Sequence, residues 1–352
     1  MRNIAAVKLS DFNYQLPKEL IAQSALIERA KARLMVLDRS SQNIRHCQFH
    51  DVENDFEKGD VLVLNDTKVI PARLFAKRKT GGRVEILVLN NNQNSCEALV
   101  KPSGRVKAGE NLILESAPQI LIHILDPPDH QTGIRHIQFL SEEKANSILE
   151  QYGRIPLPPY IDREDSEIDR ELYQTVFAKR LGAVASPTAG LHFDEALLKK
   201  IEAKGVEILC VTLHVNYGTF QPVSSDDLTR HKMYHEYFHI SDETAERINF
   251  AKSDGRRVIA CGTTAVRALE SSVTNSMPAE VRANEGMTDL FIYPSYEFKI
   301  VDGMITNFHL PKTTLLMLVS AFAGHEFLMR AYQEAIRNQY RFYSYGDAML
   351  IV

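Results

Sequence analysis

The 352-residue chain has no apolar stretch long enough to cross a bilayer. Its longest nearly apolar run, Leu315 to Ala323, is about half of the ~20 residues that a spanning helix needs. The first twenty residues lack the apolar core of a secretory signal, so the chain reads as soluble and cytoplasmic. Cysteine is scarce. Cys47, Cys96, Cys210 and Cys261 are widely separated with no CxxC, and at least two lie in apolar runs, which points to buried reduced thiols rather than bridges or zinc ligands. A charge excess is missing too: 41 Lys and Arg stand against 45 Asp and Glu, a formal −4, which argues against a surface coated in nucleic acid. No GxGxxG follows a strand, and neither a Walker A sequence nor a GxSxG elbow occurs, so no dinucleotide, ATP or serine-hydrolase site is signalled. What remains, 44% apolar and 24% charged residues, is ordinary globular composition with room for two domains.

The stretch from Gly182 to Phe220 organises the rest. Ala183 to Ala185 is an apolar run that stops at Ser186-Pro187-Thr188-Ala189-Gly190, where proline fixes φ and glycine frees it, and His192 stands just beyond that turn. Asp194 is placed to cap a helix carrying Leu197, Leu198 and Ile201, and Gly205 to end it. Val206 to Val215 reads as a strand covered on both faces that carries His214 to its end, where Asn216-Tyr217-Gly218-Thr219 turns the chain again. A βαβ-like unit of this kind collects ligands beyond the carboxyl ends of its strands, so both histidine turns are expected to face one pocket.

Strands are expected at Arg33 to Asp38 and Val61 to Leu64, and a loop entering a short helix before them. From Thr67 to Phe139 the character changes. Short β-rich runs at Val69 to Lys77, Arg83 to Leu89, Cys96 to Val100, Asn111 to Leu114, Gln119 to Leu125 and Arg135 to Phe139 alternate with turn residues and no helical period. They predict a small six-stranded antiparallel barrel, residues 67–139, inserted into a discontinuous layered α/β domain of residues 1–66 and 140–352. A helix capped by Ser141 and ended by Gly153 is expected next, then an extended wall at Arg154 to Tyr160, since proline cannot join a helix or central strand, then a helix from Asp169 to Leu181. Ser241 to Ser253 reads as a capped helix closed by Gly255, Arg257 to Cys261 as a strand, Met304 to Pro311 as a strand ending in another polar turn, and Thr313 to Phe322 as an apolar helix closed by Gly324. Gly262-Thr263-Thr264 opens a helix whose free backbone donors suit a carboxylate or phosphate.

His192, His214 and His309 all fall at strand-to-loop junctions, where histidine serves as a general base near neutral pH. Taken singly, each equally fits a histidine that hydrogen-bonds a neighbouring carbonyl. A three-histidine metal site is disfavoured, because none of them shares the short helical spacing of metal motifs. Gly262-Thr263-Thr264 fits a bare helix cap as well as a ligand site. Lys77-Arg78-Lys79 with Arg83, and Lys101, Arg105 and Lys107, concentrate positive charge on the barrel, fitting either a solvated face or an RNA platform.

Several strings go beyond spacing. Asn65 to Leu74, Gly153 to Ile161, Pro187 to Phe193, Thr212 to Val215 with Gly218-Thr219-Phe220, Gly262 to Arg267, Thr306 to Pro311 and Tyr340 to Ile351 resemble, in order and nearly end to end, the S-adenosylmethionine:tRNA ribosyltransferase-isomerase family of queuosine biosynthesis. The resemblance implies an α/β domain with an inserted six-stranded barrel. It also implies that S-adenosylmethionine is consumed as a substrate, its ribosyl part passing to 7-aminomethyl-7-deazaguanine at the wobble position of tRNA. Adenine and methionine leave, and no metal or further cofactor is expected. The implied partners are tRNAs with a GUN anticodon, bound by a monomer with no membrane association. On that chemistry His192 or His214 is expected to remove the acidic ribose C5′ proton, with His309 serving the departing adenine. Thr188, Gly190, Thr219, Thr263, Thr264 and Asn307 are candidates to hold the ribose hydroxyls and the methionine end. Arg267 ranks lower, as a residue of the helix's core side, and Tyr217 or Phe193 is expected to offer the sulfonium a π-face. Lys77, Arg78, Arg83 and Arg154 are expected along the RNA path. Ser186, Asn216 and Ser295 depart from the family's usual alanine, glycine and glycine.

A non-catalytic RNA-binding relative and an ordinary methyltransferase are the rival readings. Intact histidine turns argue against the first, and the missing glycine-rich first turn against the second.

Overall fold

The computed structural model describes residues 8–92, 95–130, 132–216, 228, 231, 233–274 and 276–352. Single 3₁₀ turns at Leu9–Phe12 and Lys18–Leu20 take the place of the short helix expected at the start. Strand β1 (Arg33–Asp38) pairs antiparallel with β2 (Asn43–Gln48), and β3 (Val61–Asn65) follows, buried at every position. β4 (Thr67–Val69) is short, and β5 (Arg73–Lys77), β6 (Arg83–Asn92), β7 (Ser95–Lys101), β8 (Asn111–Leu114), β9 (Leu121–Ile124) and β10 (Arg135–Leu140) come next. The last six close into an antiparallel barrel in the order β10-β7-β6-β5-β8-β9. Its interior obeys the period of two: Leu74 and Ala76, Val84, Ile86 and Val88, Ala98 and Val100, Leu112 and Leu114, Ile122 and Ile124 point inward, and the residues between them outward. The strand expected over Val69 to Lys77 is divided at Pro71, which cannot donate to a ladder, so that β4 lies outside the barrel.

Helix α1 (Ala145–Tyr152) starts later than expected, because the Ser141 hydroxyl accepts from the Glu143 N–H in a local turn and caps nothing. Gly153 ends it by close approach: a Cβ there would stand 1.8 Å from the Pro71 carbonyl oxygen. The helix expected from Asp169 to Leu181 is only one turn, α2 (Asp169–Leu172). Beyond it the N–H groups of Lys179 and Arg180 both donate to the Asp66 carbonyl, and the chain straightens into β11 (Arg180–Ala183), parallel to β4. α3 (Glu195–Ala203) is capped by Asp194, which accepts from the Leu197 N–H at 2.8 Å, and Gly205 follows at φ +89. β12 (Glu207–Leu213) then joins β3, not β11. The expected βαβ unit is therefore split between two sheets, since β11, exposed at Arg180 and Leu181, has only an edge ribbon's burial.

The remaining elements are β13 (Glu236–Ile240), α4 (Asp242–Ser253), β14 (Val258–Cys261), α5 (Thr263–Ser271), β15 (Asn284–Thr288), β16 (Gly303–Asn307), α6 (Thr314–Ala323), α7 (His325–Arg337) and β17 (Ala348–Ile351). Among the described residues a nine-stranded sheet runs β15-β13-β12-β3-β14-β16-β17-β1-β2. β12, β3, β14 and β16 are mutually parallel, so their carboxyl ends share one edge. Alternate residues feed opposite faces. Val61, Val63, Val258, Ala260 and Met304 meet α4, α5, α6 and α7, while Leu62, Leu64, Ile259, Cys261 and Ile305 meet Leu197 and Ile201 of α3. Helices on both faces of one sheet make three layers, which places all four polar strand ends at a single rim. Among the described residues no helix is long and apolar enough to cross a membrane.

Candidate functional site

A cavity lies at that rim, and the described residues enclose about 40 Å³ of it. Its walls come from the Ser186–Ala189 turn, Val215 after β12, Gly262–Thr264 after β14, Thr306, Asn307 and His309 at the end of β16, and Tyr343 and Ser344. Gly262 takes φ +90, a conformation favouring glycine, and so turns the chain directly from β14 into α5. The amino end of α5, with its positive dipole, therefore opens at the cavity.

Asn307 ties the site together. Its Oδ1 accepts from the Thr188 hydroxyl at 2.9 Å, and its Nδ2 donates to His192 Nε2 at 3.1 Å. His192 is thus fixed as an acceptor at Nε2, with its ring on the far side of Asn307 against Phe49 and beside Arg29 in a separate small cavity. His309 faces the cavity itself. Its Nε2 meets the Thr306 hydroxyl at 2.9 Å, that hydroxyl can donate onward to the Asn307 carbonyl, and Nδ1 has no hydrogen bond among the described residues. The ring then donates through Nε2 and keeps the lone pair on Nδ1.

Ser186 Oγ and Thr264 Oγ1 are buried at this cavity with no hydrogen-bond partner among the described residues. Buried polar groups are almost always paired, so two orphan hydroxyls set this cavity apart from the packed interior around it. Ser186, a departure from the family's usual alanine, thereby adds a donor. Tyr343 sits at φ +76, backbone strain in a bulky residue at the wall of the site.

Burial holds His192 and His309 far below the ordinary histidine value, both at about 3, and the positive Arg341 and Arg29 push His192 the same way. Both are neutral near pH 7. An unfolded chain protonates them near ~6.5, so between that pH and about 3 it binds more protons than the native state, and stability falls as pH falls. Urea midpoints are expected to be level above pH 7 and to drop towards pH 5, by at most about 1.4 kcal/mol per pH unit per histidine. His192→Gln and His309→Gln should each flatten that slope; equal slopes in the variants would refute the assignment.

The structure does not bring His214 to this cavity. Its Nδ1 bonds the Thr67 hydroxyl at 2.7 Å, its ring stacks on Tyr237, and burial lowers its pKa, with Arg180 adding and Asp66 opposing. Gly182 packs so closely that a Cβ there would stand 2.5 Å from His214 Nε2. Gly190 belongs to the Thr188 turn but packs against Phe177 and Thr175 rather than lining the cavity. Phe193 is fully buried, edge-on to Phe49, and cannot offer a ligand its π-face. Thr219 and Tyr217 lie outside the described residues. Arg267 is on the core side of α5, as expected, in a buried ion pair with Glu236. Asn65 joins β3 to β12 through the Leu213 backbone at both its N–H and carbonyl, a structural role for the first of the recognisable strings.

On the barrel Lys77 faces Arg83 across the β5–β6 ladder. Arg78 is bidentate with Glu110, Arg83 pairs with Glu115, and Arg154 pairs with Asp165. The guanidinium groups of Arg83 and Arg154 both lie over the Phe75 ring, at 4.1 and 5.7 Å. Sequence reasoning passed over Tyr343, Ser344 and Arg73, because nothing local distinguishes a cavity-lining aromatic or arginine from a packing one. Among the described residues no cluster of His, Cys, Asp and Glu could hold a metal.

A layered α/β sheet with a histidine-bearing polar cavity at the carboxyl ends of its parallel strands, beside a β-barrel carrying exposed cations, is the architecture of an α/β enzyme acting on a polar substrate. The family model described as queuosine biosynthesis protein matches residues 9–351, and the chain belongs to that family. It is 51% identical over 348 residues to the S-adenosylmethionine:tRNA ribosyltransferase-isomerase of Sulfurihydrogenibium sp. (strain YO3AOP1), covering 98% of this chain and 100% of the relative. The enzyme of the same name from Aquifex aeolicus (strain VF5) is 48% identical over 98% of this chain and 100% of its own length. Among solved structures, the S-adenosylmethionine tRNA ribosyltransferase of Thermotoga maritima matches with a TM-score of 0.55 at 36% identity, covering 97% of this chain and all of that one.

Proposed function

We propose that this chain transfers and isomerises the ribosyl part of S-adenosylmethionine onto 7-aminomethyl-7-deazaguanine at the wobble position of tRNA, in the cytoplasm, forming epoxyqueuosine and releasing adenine and methionine. The observation that carries the reading is near-50% identity over the whole length of relatives so named. The orphan hydroxyls of Ser186 and Thr264 and the amino end of α5 support a polar, carboxylate-bearing ligand in the cavity. The sulfonium acidifies the adjacent ribose C5′ hydrogen, and we assign its removal to Nδ1 of the cavity-lining His309, the ring nitrogen that Thr306 does not engage. His192 acts through Asn307, and Asn307 with Thr188 orients the ribose hydroxyls. Thr263 and Thr264 hold the methionine carboxylate. We further infer that residues 67–139 are a domain inserted between 1–66 and 140–352, supported by six strands that close on one another, with a single bridge among the described residues, from Arg73 to Arg154, outside them. Lys77 and Arg83 on this domain and Arg154 beside it are candidates for the RNA path, Arg83 and Arg154 each already sharing a carboxylate, and Arg78 being held in a bidentate pair with Glu110.

The test is to incubate the protein with S-adenosylmethionine and tRNA carrying the aminomethyl-deazaguanine, and to follow free adenine and the mass of the modified nucleoside. Adenine released only with that tRNA, and the epoxycyclopentane mass gained, is the expected result. A methylated nucleoside would move the chain to the methyltransferases, and intact S-adenosylmethionine with bound tRNA would make it a binding protein.

A further inference from the structure

We propose that a cleft between the barrel and the proline segment is a second nucleotide site, which holds an RNA residue next to the one modified. The proposal rests on the reading above that the substrate is tRNA. The cleft encloses about 240 Å³, against about 40 Å³ for the cavity at the sheet edge. Its floor is the outer face of β5, β6 and β7. Because side chains alternate along a strand, Arg73 and Phe75 face outward where Leu74 and Ala76 face the barrel core. The ladder sets Arg73 opposite Leu87 and Leu87 opposite Leu99, and in the next row Glu85 opposite Lys101. The facing wall is Leu157, Pro158, Pro159 and Ile161.

Leu87 and Leu99 on the floor thus face the proline wall, among two cations and a single carboxylate, Glu85, which is ion-paired with Arg73. This arrangement suits a planar base between the walls and its phosphate at Lys101, the cation with no carboxylate bound to it among the described residues. Arg73 is already positioned: Nη2 donates to the Leu157 carbonyl at 2.7 Å, which ties wall to floor, and Nε stands 3.3 Å from Glu85 Oε1 in an ion pair across the floor. Two residues along β5, Phe75 carries the guanidinium groups of Arg83 and Arg154, which are paired with Glu115 and Asp165.

The proline segment also connects the cleft to the reaction cavity. Pro159 and Ile161 line the cleft, whereas Tyr160 between them turns the other way. Its hydroxyl bonds the Ser344 hydroxyl and its ring stands edge-on to Tyr343, and both partners line the cavity. A single turn of chain, closed by the Ile161 N–H donating to the Pro158 carbonyl at 3.0 Å, separates the two spaces. A single strand of RNA that sends its modified base into the cavity past Tyr160 carries an adjacent base to the cleft.

The test uses the full-length protein and an anticodon stem-loop containing the aminomethyl-deazaguanine, with RNA affinity and S-adenosylmethionine affinity measured separately. Lys101→Glu is expected to weaken stem-loop binding roughly tenfold and to lower the slope of log affinity against log salt by about one, leaving S-adenosylmethionine affinity unchanged. Lys101→Gln, which adds no charge, should fall between. An abasic residue immediately 5′ or 3′ of the modified base should cost wild type roughly fivefold or more. It should cost the Leu99→Ser and Lys101→Glu double variant nothing further. Equal abasic losses in wild type and variant, or unchanged RNA affinity in Lys101→Glu, overturn the cleft while leaving the tRNA reading intact. Failure of wild type to bind the stem-loop at all overturns that reading and the cleft with it.

Discussion

His309→Ala is expected to lower the single-turnover rate of adenine release by about 10²-fold, the low end of what a positioned general base contributes, since the burial that keeps the imidazole unprotonated also makes it a weaker base. Affinity for S-adenosylmethionine should change little, because the ring lines the cavity without being its main source of donors. The reason for choosing His309 over the other two histidines is geometric. His192 spends its acceptor nitrogen on Asn307, and His214 is held by Thr67 on another face of the sheet edge. His192→Ala should therefore act by loosening Asn307, with a loss that Asn307→Ala reproduces and that the double variant does not deepen. The pH profile separates these roles further. A base whose pKa burial holds at about 3 stays unprotonated throughout the neutral range, so kcat/KM should show no inflection near the ordinary histidine value between pH 8 and about 6. A His309→Ala enzyme with wild-type turnover would end this assignment, and a clear inflection near 6.5 would place the base on a solvated group instead.

Arg267→Ala carries the largest expected effect on stability, about 3–5 kcal/mol by urea denaturation, as for other buried ion pairs that lose one partner. Arg267 and Glu236 are 3% and 2% exposed, which leaves a lone carboxylate no water to turn to. The pair also does more than balance charge. Arg267 Nε donates to the Leu290 carbonyl at 3.1 Å, and Glu236 Oε1 accepts from the Asn216 N–H at 2.8 Å, so one guanidinium holds both the segment after β15 and the turn that leaves β12. Glu236→Gln keeps a hydrogen-bond acceptor and should lose less. Replacing both by Met and Leu should recover much of the stability, since apolar pairs of similar volume often match buried ion pairs. A single Arg267→Ala change costing under about 1 kcal/mol would show that water reaches this pair after all.

Much of the body was legible because its signals are local. Asp194, Ser241 and Thr313 cap their helices as their side chains dictate, and Gly205, Gly255 and Gly324 follow them at positive φ. The continuous apolar character of Val61 to Leu64 and of Val258 to Cys261 follows from burial on both sheet faces. The barrel strands announce themselves by alternation, which fixes an inside and an outside before any pairing is known. The errors fall where a distant partner outbid a local preference. Asp169 to Leu181 has enough helical character to suggest a long helix, but the Asp66 carbonyl takes two of its N–H groups and draws the chain into a ribbon with Thr67–Val69. Ser295 stands at φ +90 in place of the family's usual glycine, a strain its neighbours alone did not reveal.

For the site the division is similar. Strand ends pointed to His309 and to the turn at Thr263 and Thr264, and the family resemblance added Thr188 and Asn307; all five line the cavity, whereas Gly190 does not. Which histidine lines the cavity was not decided there. It depended on Asn307 reaching across 115 positions of sequence to His192, on Thr67 reaching across 147 to His214, and on Tyr343 and Ser344 folding back to close the wall. The same holds for the cleft, whose floor is a barrel face and whose wall is a proline segment some 80 residues further on. By itself the sequence determined the elements, the side of each that is buried, and the kind of chemistry available. Only the tertiary structure decided which polar groups meet, because strand pairing and packing are long-range choices that no window of neighbouring residues contains.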